Sequence, residues 1–205
     1  MTRPTALVPS VVAASSGLAF AALARFVHRQ PENPVDTTAR EQVLASSPEP
    51  AKEAHKYLRK PGKWFVLVPF SCAASALLAR FRGLRASAPL ALSSVLAAAV
   101  AEGTEAWLPN RPPPPGRNDP EEPAFPSGHT LQPTALALTA AYVLSREGLV
   151  PARAAVPVAL AVPLVFGGIQ LSGERHWLSD VAGGWLAGLT VAALCAALYD
   201  VLARR

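Results

Sequence analysis

Two short clusters hold residue types that do chemistry together: Pro126-Ser127-Gly128-His129, and His176 with Asp180 four residues later. A proline can open a helix, because its missing N–H would be unpaired in the first turn anyway. Ser127 and Gly128 then fall in that turn. Backbone N–H groups and the positive end of the helix dipole make an anion site there, and Gly128 lets an anion approach the backbone. His176 and Asp180 share a face if they lie on a helix. A carboxylate on one ring nitrogen fixes the tautomer and makes the other nitrogen a better nucleophile. His129 can then protonate a leaving oxygen, and Arg111 can grip two phosphate oxygens at once. Phosphoryl transfer is the chemistry these types suit, with His176, His129 and Asp180 catalytic and Arg111, Ser127 and Gly128 binding phosphate. Taken singly, each cluster also has a plain structural reading: Asp180, for instance, can simply cap its helix.

The elements that must position these residues are apolar. The chain has 205 residues, 51% of them hydrophobic and only 16% charged, and long stretches carry no charge. That pattern implies membrane spans rather than a soluble core. Six spans are expected, at about 5–27, 64–80, 87–107, 127–145, 150–171 and 178–203. The chain is therefore read as all-α, a polytopic bundle forming a single membrane domain over 1–205. Pro69, Pro89, Pro133, Pro157 and Pro163 fall inside spans, where packed neighbours tolerate them. Ala, Gly and Ser are abundant, and Gly183, Gly184 and Gly188 read as close helix contacts. The first span has a competing reading as a cleaved signal peptide, but its apolar run is long for one.

Net charge is +5, yet the basic residues form short clusters between apolar runs, so no nucleic-acid partner is expected. Cys72 and Cys195 lie inside apolar runs, which leaves no disulfide framework or zinc site, and neither a metal nor a cofactor is expected. Placing the N-terminus in the cytoplasm puts Arg3, Arg80, Arg82, Arg85, Arg146, Arg153, Arg204 and Arg205 inside, against only Glu147 and Asp200. The outer segments, about 28–63, 108–126 and 172–180, balance basic with acidic residues. Both termini are then cytoplasmic, and Arg111, His129 and His176 meet at the extracytoplasmic surface. Ionisable groups at membrane depth are costly and usually functional. The segment 28–63 reads as a solvated linker or surface helix beginning near Thr37 and Thr38, with His28 and His55 in surface roles.

The motifs, in this order, resemble those of the type 2 phosphatidic acid phosphatase family. That family is recognised by Lys, six residues, Arg-Pro; by Pro-Ser-Gly-His; and by Ser-Arg, five residues, His, three residues, Asp. The second motif is complete here, the third keeps His176 and Asp180, and the first keeps Arg111-Pro112. The specific matches lie within 104–183. The resemblance implies a six-helix membrane enzyme that removes phosphate from a lipid without a metal, while the high Ala, Pro and Arg usage suggests a bacterial source and hence the plasma membrane. His176 would form a phosphohistidine, Asp180 would orient it and His129 would serve as general acid. The implied substrate is a polyprenyl phosphate or diphosphate, a phosphatidate-type lipid or a prenyl-phosphosugar phosphate. Thr104, Ile169 and Gln170 stand where the family has Lys, Ser and Arg. Arg117 and Arg175 are candidates to compensate, while Glu102 and Glu105 make the site less cationic or recognise a hydroxylated or cationic group. The competing reading is a weakened relative that binds lipid phosphate or a membrane partner.

Overall fold

A computed structural model describes residues 6–58, 61–108, 111–115 and 123–203. Eight helices order these residues: α1 (Leu7–Arg29), α2 (Pro34–Ser46), α3 (Glu49–Leu58), α4 (Trp64–Arg82), α5 (Leu84–Trp107), α6 (Gly128–Arg146), α7 (Ala152–Ser172) and α8 (Leu178–Leu202). No strand occurs among the described residues. The fold is all-helical, as expected, and the six long helices fall on the six apolar stretches.

Five of them, α1, α4, α5, α7 and α8, are long and apolar enough to cross a membrane, which makes this a multi-pass membrane protein. The expected sixth span, α6, does not reach that level. Its 19 residues are about 28 Å long at 1.5 Å per residue, so length is not the reason. Thr130, Gln132, Thr134 and Thr139 replace apolar residues along it, and all four are buried. Such a helix is covered by protein rather than lipid, and α5, α7 and α8 pack around it.

The α6–α8 contact depends on missing side chains. A Cβ on Gly184 would lie 2.7 Å from the Ser127 carbonyl oxygen, and one on Gly188 would lie 2.7 Å from that of Leu131. Gly183 packs as closely against the Phe125 ring. Small residues thus let the two backbones touch. The core beside them is built from Ala97, Ala101, Leu131, Ala135, Ala187, Val191 and Cys195. Cys72 is exposed on α4.

The segment 28–63 departs from its expected reading. Helix α2 starts at Pro34, three residues before Thr37. The Asn33 side chain accepts the Asp36 N–H at 3.0 Å, and Pro34 supplies a preset first turn. Nor is the segment merely solvated, since Asn33 and Asp36 are each 1% exposed and α2 packs against α7 and α8. His28 is exposed, as expected, while the side chain of His55 lies outside the described residues.

Candidate active site

A cavity of about 260 Å³ opens where the N-terminal ends of α4 and α6 meet the loop before α8. His129, in the first turn of α6, and His176, just before α8, both line it. Their ring centroids are 6.4 Å apart. Arg175, Lys63, Glu102, Gln132, Trp64 and Phe65 share the lining, with Gly128 and Pro126 at the start of α6.

His176 is held by the backbone. Its Nδ1 lies 2.9 Å from the Ala124 carbonyl oxygen, so Nδ1–H donates there and Nε2 remains the basic nitrogen. Ala124 is fixed in turn, its N–H donating to the Arg111 carbonyl at 3.0 Å. Asp180 was expected to orient the ring directly. Its Oδ2 is 3.9 Å from Nδ1, too far for a hydrogen bond. That oxygen instead accepts the Trp177 N–H at 2.7 Å, capping α8. Asp180 thus bonds to the backbone of the residue next to His176 rather than to its ring. The His176 side chain is only 12% exposed. Burial, helped by the nearby His129 charge, lowers its pKa to about 3, so the imidazole is neutral across the physiological range.

Arg111 is brought to the site but not to the cavity wall. It is 4% exposed. Nη1 donates to Asp180 Oδ1 at 2.6 Å and to Ser179 Oγ at 2.7 Å. Nη2 donates to Asp36 Oδ2 at 2.6 Å and to the Pro31 carbonyl at 2.7 Å, and Nε donates to the same carbonyl at 3.0 Å. The expected grip on phosphate oxygens is thus replaced by a grip on two carboxylates, the Ser179 hydroxyl and one loop carbonyl. The guanidinium also lies 5.4 Å from the centre of the Trp177 ring. Asp36 completes the network, accepting the Ser179 N–H at 2.8 Å and its hydroxyl at 2.6 Å. Burial opposes its charge, but these bonds and Arg111 outweigh burial and hold its carboxyl below the ordinary range.

Ser127 is likewise structural in its geometry. It is fully buried, its N–H donates to the Asp180 carbonyl at 3.0 Å, and its Oγ accepts from Thr130 at 3.0 Å. Gly128, by contrast, faces the cavity as expected.

Thr104 turns its hydroxyl back to the Val100 and Ala101 carbonyls, both at 2.8 Å. Gln170 is 2% exposed. Neither lines the cavity. Of the compensating cations, Arg175 does line it, and Lys63 at the start of α4 joins it. Arg117 and the Glu105 side chain lie outside the described residues. Sequence reasoning missed Lys63, Gln132 and Asp36. Gln132 carried a local signal, three residues after His129 and so on the same helix face. Asp36 carried a fainter one in the Asn33-Pro34 helix start.

The sequence profile of the PAP2 superfamily matches residues 65–204, and the chain belongs to that superfamily. Its fold is that of a membrane phosphatase. It is similar to a crystal structure described as the first transmembrane PAP2 type phosphatidylglycerolphosphate phosphatase from Bacillus subtilis, with a TM-score of 0.69. Identity is 20%, over 89% of this chain and 93% of that one. No curated protein matches the chain.

Proposed function

We propose that the protein is an integral-membrane lipid phosphatase that hydrolyses a phosphate monoester or diphosphate of a lipid through a phosphohistidine on His176. The observation that carries this is the pair of cavity-lining histidines 6.4 Å apart, one with its Nδ1 tied to a carbonyl. Both rings open on the same cavity, so a phosphoryl group held there meets each of them.

His176 Nε2 attacks phosphorus, and the bond from phosphorus to the lipid oxygen breaks. His129 gives its proton to the leaving alkoxide. It then takes a proton from water, which attacks phosphorus and releases phosphate and neutral His176. Phosphoryl transfer depends largely on charge stabilisation. Arg175, Lys63 and the α6 N-terminus at Gly128 supply it, in place of Arg111 and Ser127. Arg111 and Asp180 are positioning residues in this scheme. The substrate is a polyprenyl phosphate or diphosphate, a phosphatidate-type lipid or a prenyl-phosphosugar phosphate. The site faces the extracytoplasmic side of a bacterial plasma membrane, with both termini inside.

The test is phosphate release from a panel of lipid phosphates by the detergent-purified protein, with His176→Ala as control. Metal-independent, vanadate-sensitive release that His176→Ala abolishes is expected. No release from any lipid, or equal release by the variant, sinks the reading. It would then favour a relative that binds lipid phosphate without hydrolysing it, which the engagement of Arg111 by carboxylates and the glutamine at position 170 already suit. For orientation, Glu32→Cys in a Cys72→Ala background is expected to react with an impermeant thiol reagent on intact cells. Labelling only after lysis places the site on the other side.

A further inference from the structure

Gln132 stands three residues beyond His129 on α6, on the same face, and lines the cavity. It is 2% exposed, and its Oε1 has no hydrogen-bond partner among the described residues. Native proteins leave few buried polar atoms unpaired, and each one calls for an explanation. Ser94, Thr139 and Ser145 also have unpaired hydroxyl oxygens, but none of them lines this cavity. Glu102 on α5 brings a carboxylate to the same space. Two acceptor groups thus stand beside the histidine pair.

A phosphate dianion cannot satisfy them. It offers acceptors only, and a carboxylate repels it. A donor on another part of the substrate is needed, and the alcohol that carries the phosphate is the part that sits next to it. A hydroxyl suits both groups, since it donates to a carboxylate and can donate to or accept from either end of an amide. An ammonium suits them less, because Lys63 and Arg175 line the same cavity.

We propose that the Gln132 amide and the Glu102 carboxylate form a subsite for a hydroxyl adjacent to the scissile phosphate ester. The preferred substrate is then the phosphate monoester of a polyol- or sugar-type lipid head, rather than of a bare prenol or a fully acylated glycerol. This rests on the phosphatase reading above. A buried site built to hydrogen-bond a hydroxyl rejects the analogue lacking it by about 10⁴–10⁵-fold. Glu102 is exposed, so a ratio nearer tenfold is expected here.

The test uses two lipids with the same tail: a 1-acyl-glycerol 3-phosphate, and its 2-deoxy analogue built on propane-1,3-diol. The full chain in detergent is expected to show a kcat/KM at least about tenfold higher for the hydroxylated lipid. Gln132→Leu and Glu102→Ala are each expected to shrink that ratio to within about threefold. If Gln132→Leu does not fold, the exposed Glu102→Ala carries the test. Turnover of both lipids at equal kcat/KM overturns the subsite and leaves the phosphatase reading standing. A high ratio that neither variant lowers assigns the selectivity elsewhere and also overturns it. If neither lipid releases phosphate while another lipid of the panel does, the subsite is overturned; if no lipid does, the phosphatase reading fails. The same pair is then compared as ligands by melting temperature. A larger shift with the hydroxylated lipid, lost in Gln132→Leu, upholds the subsite, and equal shifts overturn it.

Discussion

Replacing Arg111 separates a phosphate clamp from a structural post. Its guanidinium holds Asp36, Asp180, Ser179 and the Pro31 carbonyl in one buried network. The two carboxylates are 1% and 0% exposed. Arg111→Met removes the cation and leaves both of them without it. Breaking a buried ion pair from one side costs about 3–5 kcal/mol. A protein of this size loses about 2–4 °C of melting temperature per kcal/mol. The melting temperature in detergent should therefore fall by about 6–20 °C. Asp36→Leu should cost a similar amount, although Asp36 does not line the cavity. The double variant should recover part of the loss, because residues in one network couple by about 0.5–3 kcal/mol. Intrinsic fluorescence suits the assay, with Trp177 lying against Arg111. A phosphate clamp gives a different pattern: Arg111→Met melts within about 2 °C of the parent, Asp36→Leu is silent, and only phosphate binding is lost. That pattern would refute the reasoning.

Gly184→Ala pushes a Cβ to 2.7 Å from the Ser127 carbonyl oxygen and should destabilise by about 1–3 kcal/mol, whereas Gly103→Ala, with nothing within 4 Å, should be neutral or gain about 0.4–1 kcal/mol; thermal melts compare them. His176 has a pKa of about 3 in the folded protein against about 6.5 unfolded. The unfolded chain binds the extra proton between those values, so stability should fall as pH drops from 6.5 toward 3. The loss in melting temperature between pH 7 and pH 4.5 should shrink in His176→Gln. Asp36, with its lowered pKa, adds a loss in the same direction only below its ordinary value. Glu174 takes a left-handed φ of 54° directly before Arg175, and Arg40 on α2 pins it, Nε donating to its carboxylate at 2.9 Å. Arg40→Ala should raise KM by about three- to tenfold, short of the ~10² that a 1 Å misplacement can cost, and Arg40→Glu with Glu174→Arg should restore part of it.

Much of this protein is legible in local pattern. Long apolar runs locate each long helix to within about three residues, because a membrane demands continuous apolar length. The histidines and Gly128 declare themselves by spacing, because a helix start and a shared helix face are local geometry. The same locality explains the errors. Counting apolar residues gives six spans, whereas five helices reach that level by composition; α6 carries threonines and Gln132 that other helices cover. The role of Arg111 could not be read from Arg111-Pro112. Its partners Asp36 and Asp180 lie 75 and 69 residues away, and no periodicity links positions that far apart. The orientation of His176 fell to the Ala124 carbonyl for the same reason, since a backbone oxygen 52 residues distant leaves no mark in residue types. Residue identity thus determined which groups could do phosphoryl chemistry and at which helix ends they lie. Tertiary packing decided which of them face the cavity and which hold the others in place, because a charge turns toward whichever opposite charge the fold brings within reach.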